Sequence, residues 1–347
     1  MKPRSFFHRT LTSFGGLALG LASFGSGSFA QASTVQFPTA NRALLEAGGE
    51  ERFYVGTSGK PWTSGQFGCV RSGGGQLHEG LDIKCLQRDK RGEPIDPVSA
   101  TADGVVAYVN TKPGLSNYGN YVVIRHQLDG VEVFSLYAHL SAVRPGLKPG
   151  DPVRGGERIA TMGRTSNTHQ KITKDRAHCH FEFDLMLNER FAQWHDAKKN
   201  GERNDHGNFN GHNLAGFDPA AVLKEAAAHG GAVDFAAHLQ SRPEMFRVAI
   251  RAKSLSILRR SPRLLQRNPL AERDGVAGYE VAVSFNGVPL RIIPRSAAEL
   301  KSPAKVTLLG VNEAEWRSHP CGKLVFKRGQ AWTLLARGQD WVELLTY

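Results

Sequence analysis

His178-Cys179-His180-Phe181-Glu182-Phe183 alternates ionisable with apolar side chains. In an extended strand successive side chains point to opposite faces, so His178, His180 and Glu182 share one face while Cys179 and Phe181 enter the layer behind it. Segments of the same character precede it. Gly104 to Val109, Tyr121 to Ile124 and Val131 to Tyr137 are short β-rich runs punctuated by glycine, with no helical period between them. From about Phe67 to Leu187 this pattern predicts a compact antiparallel sheet protein.

Two further segments carry related chemistry. His78-Glu79-Gly80-Leu81-Asp82 sets an imidazole and a carboxylate four apart, on one face if the chain there is extended, and Tyr137-Ala138-His139-Leu140 adds another imidazole. One imidazole and one carboxylate from the first segment, with one imidazole from His178-Cys179-His180, make three ligands for a tetrahedral zinc whose fourth position is left to water. That open arrangement belongs to a catalytic site, whereas a structural zinc would be closed. The remaining imidazoles would take a proton from the water and stabilise the charged intermediate of amide hydrolysis.

Seven segments in order resemble the lysostaphin and LytM type of zinc metallopeptidase. They are His78 to Asp82, Ala102-Asp103-Gly104-Val105-Val106, Tyr118 to His126, Tyr137 to Ser141, Gly150-Asp151-Pro152-Val153, Met162-Gly163-Arg164-Thr165 and His178 to Glu182, and they span roughly a third of the chain. The resemblance implies that His78, Asp82 and His180 bind one zinc ion and that His139 and His178 act catalytically. It implies peptide bonds of peptidoglycan stems or cross-bridges as the substrate. Some relatives have lost ligands and only activate amidases, so a non-catalytic wall-binding or amidase-activating protein is the alternative, and a zinc-dependent binding module a third reading. This chain keeps all five positions. It departs in two: Cys179 stands where leucine is usual, and the tyrosine often found shortly before the first histidine is absent from Arg71-Ser72-Gly73-Gly74-Gly75-Gln76-Leu77, leaving its role to Arg71 or to nothing.

With this domain the sequence predicts four parts. Residues 1–32 carry Lys2, Arg4 and Arg9, a short apolar stretch and a small-residue cleavage site, the order of a secretory signal peptide; export to the periplasm, the wall or the medium follows. Residues 33–65 are an unassigned lead-in. Residues 66–230 form the peptidase domain, including a polar surface loop over 188–216 and a helix from Pro219 capped by Asp218. Residues 231–347 read as a smaller α+β module, able to meet a wall polymer or a protein, with a helix after Ser241, a hairpin turning at Asn286-Gly287 and last strands near Leu324 and Ala331. No later segment has the long apolar run of a transmembrane helix.

The net charge of +12 falls to +9 without the three signal-segment cations, a balance suited to an anionic surface such as the wall. The basic residues form no aromatic-interleaved stripe, which argues against a nucleic-acid partner. Four cysteines permit three pairings; a Cys69–Cys85 bridge and buried free thiols both fit. His126 reads as structural, His195, His206 and His212 as ordinary exposed loop histidines, and Glu182 either as an orienting group behind a ligand or as a solvent-facing carboxylate.

Overall fold

The alternating segment becomes a nine-residue strand, His178–Met186. In the computed structural model, which describes residues 34–168, 171–199 and 201–347, it is the spine of a seven-stranded antiparallel sheet. The expected signal peptide lies outside the described residues. The strands that matter here are β1 (Gly68–Arg71), β2 (Gln76–His78), β3 (Leu81–Lys84), β4 (Gly104–Asn110), β5 (Tyr121–Leu128), β6 (Val131–Ala138), β7 (Pro152–Val153), β8 (His178–Met186) and β9 (Leu214–Phe217). The sheet runs β9-β8-β6-β5-β4-β7, with β3 also paired to β8.

β8 is long enough to take two partners along one edge. Its first half pairs with β3, setting His180 opposite Asp82, and its second half pairs with β9, setting Phe183 opposite Phe217. On its other edge His180 faces Ala138 of β6, one residue before His139. Register alone therefore gathers the three histidine-bearing segments. Cys179, Phe181, Phe183 and Leu185 enter the main apolar core, as the period of two requires, while Met186 joins a smaller cluster with Leu136, Ala138 and Tyr121 on the opposite face.

Four expectations need correction. His78 and Asp82 do not lie on one extended strand: β2 ends at His78 and pairs with β1, while β3 begins at Leu81, and the chain bends at Glu79-Gly80 between two different partners. The stretch 188–216 is not a plain loop, because Phe191–Lys198 is helical; Phe191, Trp194 and His195 fall at i, i+3 and i+4 and are buried. No helix follows Ser241. The helix comes earlier, at Phe235–Gln240, where Asp234 accepts from the Ala237 amide at 3.0 Å, and Phe246–Ile250 is a strand with Phe246, Val248 and Ile250 buried. Cysteine pairing joins Cys69 to Cys321, and Cys85 and Cys179 are buried free thiols.

The segment after residue 231 holds a four-stranded antiparallel sheet, a two-stranded hairpin and several helices. The hairpin turning at Asn286-Gly287 and the helix Pro219–Ala228, whose Asp218 accepts from the Ala220 amide at 2.9 Å, form where the sequence signals place them. One apolar core runs from Val35 and Phe53 of the lead-in through β8 to Phe246, Trp341 and Leu345. Ion pairs tie the halves further, Arg260 meeting Glu132 at 3.0 Å.

Candidate metal centre

The bend at Glu79-Gly80 aims His78 back toward β8. A Cβ at Gly80 would stand 2.3 Å from the Phe181 carbonyl oxygen, so only glycine lets the chain approach this closely. His78, Asp82 and His180 then meet in the interior, 0%, 1% and 5% exposed. His78 Nε2 lies 3.1 Å from Asp82 Oδ1, His180 Nδ1 lies 3.0 Å from the same oxygen, and the two nitrogens are 3.0 Å apart. Among the described residues this is the one set of three that can converge on an ion.

The donor chemistry fits a cation. His78 Nδ1 donates to the Gln66 carbonyl at 2.7 Å, and His180 Nε2 donates to Glu182 Oε1 at 2.6 Å, so each ring turns a lone pair toward the common point. Two lone pairs and a carboxylate oxygen at this separation repel unless a positive charge sits between them. The pKa values carry the same demand. Burial holds the His78 pKa down, yet His180, although burial opposes it, is pushed up to about 9 by Asp82 and Glu182, so without a metal its Nδ1 takes up a proton that a bound cation would displace. Three nitrogen and oxygen ligands at the corners of a small triangle suit a tetrahedral zinc, whose bonds of about 2.0–2.2 Å set its ligands roughly 3.3 Å apart.

Around the three stand supporting groups. Arg71 of β1 donates to Asp82 Oδ2 at 2.7 Å; despite burial, His78, His178 and Arg71 hold Asp82 well below the usual carboxylate range. Glu182 is fully buried, which rules out a solvent-facing role, and its contact with His180 keeps it ionised although burial alone would raise it. Asp184 follows on the same face. Burial, together with the charge of Glu182 and side-chain contact with it, pushes the Asp184 pKa well above the usual carboxylate range. The 178, 180, 182, 184 alternation contained Asp184, although the upward push on its pKa depends on the packing around it.

His139 and His178 complete the cluster, their ring centroids 4.8 Å apart and His139 5.8 Å from His180. His139 has φ +59°, a left-handed conformation that swings the side chain off the end of β6. Its Nδ1 donates to the Thr165 carbonyl at 2.9 Å, and burial, His178 and His180 hold its pKa well down, so Nε2 keeps a free lone pair. His178 Nδ1 donates to the Arg176 carbonyl at 2.7 Å, leaving Nε2 at 3.4 Å from Asp82 Oδ1.

These groups open into a groove of about 1280 Å³. Its wall includes Arg71, Glu79, Tyr118, His139, His178 and His180 on the centre's side, and Trp194, His195, His206, His212, Arg337 and Trp341 beyond. The stretch 188–216 therefore walls the groove. His195 and His206 are buried, against the expectation of exposed loop histidines; His206 Nδ1 meets Tyr108 Oη at 3.0 Å. His126 is internal and outside the groove lining, bonded to the Asp103 carbonyl and Ser135 Oγ. The participation of Arg337 and Trp341 had no signal in the sequence, because they lie more than a hundred residues from any site motif.

Comparison with known proteins bears on residues 76–191, which match Peptidase family M23. Over 93 residues the chain is 42% identical to a protein of Neisseria meningitidis serogroup B described as "DD-carboxypeptidase/endopeptidase Mpg", covering 27% of this chain and 18% of that protein, and a Neisseria gonorrhoeae protein of the same description matches equally. The chain thus spans about a fifth of the length of these curated relatives. Among solved structures, a zinc-containing peptidase from Vibrio cholerae shares 31% identity, covering 31% of this chain and 26% of that one, with a TM-score of 0.23. The catalytic domain of lysostaphin from Staphylococcus simulans shares 24% identity, covering 46% and 87%, with a TM-score of 0.28.

Proposed function

We propose that this chain, whose residues 76–191 carry a Peptidase family M23 domain, is an exported zinc-dependent endopeptidase that hydrolyses peptide bonds in peptidoglycan stems or cross-bridges. The observation that carries the reading is the convergence of His78 Nε2, Asp82 Oδ1 and His180 Nδ1 beside two further imidazoles in an open groove. The family match and the relatives described as DD-carboxypeptidase/endopeptidase support hydrolysis of a peptide bond. The basic net charge suits a wall substrate. Export rests on the amino-terminal composition, and no helix among the described residues is long and apolar enough to cross a membrane.

In this reading His78, Asp82 and His180 hold the metal. Zinc in a three-ligand site supplies a Lewis acid that acidifies water and polarises a carbonyl. Arg71 and Glu182 keep the ligand set fixed: Arg71 holds the second Asp82 oxygen, and Glu182 fixes the tautomer of His180. His139, neutral because it is buried and flanked by other imidazoles, accepts the proton of the attacking water at Nε2 and returns it to the leaving amine. His178 stands beside it, and whichever ring holds the proton presents positive charge to the oxygen where negative charge develops.

The test is release of soluble peptides from purified peptidoglycan, with metal content, for wild type, His180→Ala and His139→Ala. Wild type should carry about one zinc per chain and cleave; His180→Ala should lose both; His139→Ala should keep zinc and lose about a hundredfold or more in rate. A wild type that holds zinc yet releases nothing from any wall type would overturn the enzymatic reading in favour of a binding or activating role.

A further inference from the structure

The far side of the groove is built from chain that the family match leaves out. The C-terminal helix Ala336–Leu345 is fastened there against the helix Phe191–Lys198 and its flanks. Lys199 Nζ meets Asp340 Oδ2 at 2.6 Å and Lys198 Nζ meets Glu343 Oε2 at 3.2 Å, Asn188 Nδ2 donates to the Leu344 carbonyl at 2.7 Å, and Trp341 Nε1 donates to the Gly287 carbonyl at 2.8 Å. The helix is therefore held in place at several points along its length.

These contacts occupy the neighbouring charges and leave one out. Lys199 is paired with Asp340 and Arg203 with Asp205, whereas Arg337, one turn before Asp340, lines the groove, is exposed and has no ion-pair partner among the described residues. It faces the rim near His212, which is exposed beside it. A guanidinium without a carboxylate, carried on a fastened helix and lining the same cavity as the metal centre, is a planar fork that two oxygens of a carboxylate can satisfy. At about 1280 Å³ the cavity exceeds the usual range for a small-ligand site, so an extended peptide can lie across the centre and reach this wall.

We propose that Arg337 is a specificity-determining residue that binds a carboxylate of the peptide substrate, making the C-terminal helix a selector of acidic over amidated wall peptides. The inference rests on the peptidase reading. The carboxylate has two possible sources, a side-chain carboxyl within the stem peptide or the free carboxyl at its end, and both present the same group to the fork. Lys171, on the segment leading into β8, also lines the groove with no ion-pair partner among the described residues, but it is a hydrated point charge on a flexible stem carried by neither helix nor strand, and it serves as the control.

The experiment uses the full chain and three probes: a stem pentapeptide with free carboxyls, the same peptide amidated at its side-chain carboxyl, and the same peptide amidated at its terminus. For each, kcat/KM is measured with wild type, Arg337→Gln, Arg337→Lys and Lys171→Gln, and binding to His139→Ala with and without Arg337→Gln is read by calorimetry. Wild type should favour the free acid over one of the two amides about tenfold, the effect of one charge-assisted contact, and the amide that loses the preference names the source. Arg337→Gln should collapse the ratio toward one, Arg337→Lys should restore part of it, and Lys171→Gln should retain it. An unchanged ratio in Arg337→Gln, or its collapse in Lys171→Gln instead, overturns the proposal. If no peptide is cleaved by any form, the enzymatic reading fails, and the calorimetric ratio still decides the role of Arg337.

Discussion

At the scale of single residues, the same chemical type takes opposite roles according to what its second nitrogen meets. His78, His139 and His178 each give Nδ1–H to a backbone carbonyl and keep a lone pair for the centre, whereas His180 gives Nε2–H to Glu182 and uses Nδ1. His126 shares none of this, being closed on both sides by the Asp103 carbonyl and Ser135 Oγ. Burial lowers its pKa from 6.5 to about 4. Above 6.5 neither folded nor unfolded chain protonates this ring; between 6.5 and about 4 the unfolded chain takes up a proton that the folded one refuses. Stability should therefore fall as pH is lowered through that window, by roughly 3 kcal/mol at its acid end. His126→Gln should flatten the dependence when thermal midpoints are compared across the same range, and parallel curves for the two proteins would refute the assignment. That these histidines and Asp82 could share a site was readable from the alternation and the ligand chemistry of the residue types, but tautomers were not, since a carbonyl acceptor has no identity in the sequence.

At the scale of elements, the centre depends on two strands meeting end to end along β8. β3 and β9 share that edge, and Gly80 and Gly216 sit where the chain passes closest: a Cβ at Gly80 would lie 2.3 Å from the Phe181 oxygen, and one at Gly216 would lie 2.5 Å from the Glu79 oxygen. Gly80→Ala should thus shift both β3 and His78, costing about 2 kcal/mol or more and abolishing metal retention. Urea unfolding and zinc content would be compared with Gly114→Ala, where a Cβ meets nothing within 4 Å. If the two variants behave alike, the close approach has no structural weight. The period of two identified β8, and the Asn286-Gly287 turn identified its hairpin. The helix at Phe191–Lys198 went unread because its buried face is only three residues wide within a polar, glycine-rich stretch.

At the scale of the whole molecule, the carboxy-terminal half is part of the site's foundation. Cys321 is bonded to Cys69 of β1, the strand that pairs with β2 at His78 and carries Arg71, across a separation of 252 residues. Such a long loop gives a disulfide much chain entropy to remove from the unfolded state. Cys69→Ser with Cys321→Ser should lower stability by about 2–5 kcal/mol, seen as a drop in thermal midpoint against wild type in non-reducing buffer, and an unchanged midpoint would mean the core alone holds the two segments together. By itself the sequence determined the β-rich class, the strand faces and the set of histidines and carboxylates, because side-chain alternation and ligand chemistry are local properties. Only the tertiary structure decided which cysteine meets Cys69, that His78 and Asp82 reach the centre from two different strands, and that Arg337 looks into the groove. Those depend on contacts between residues far apart along the chain, where packing of the shared core, and no local periodicity, selects the neighbour.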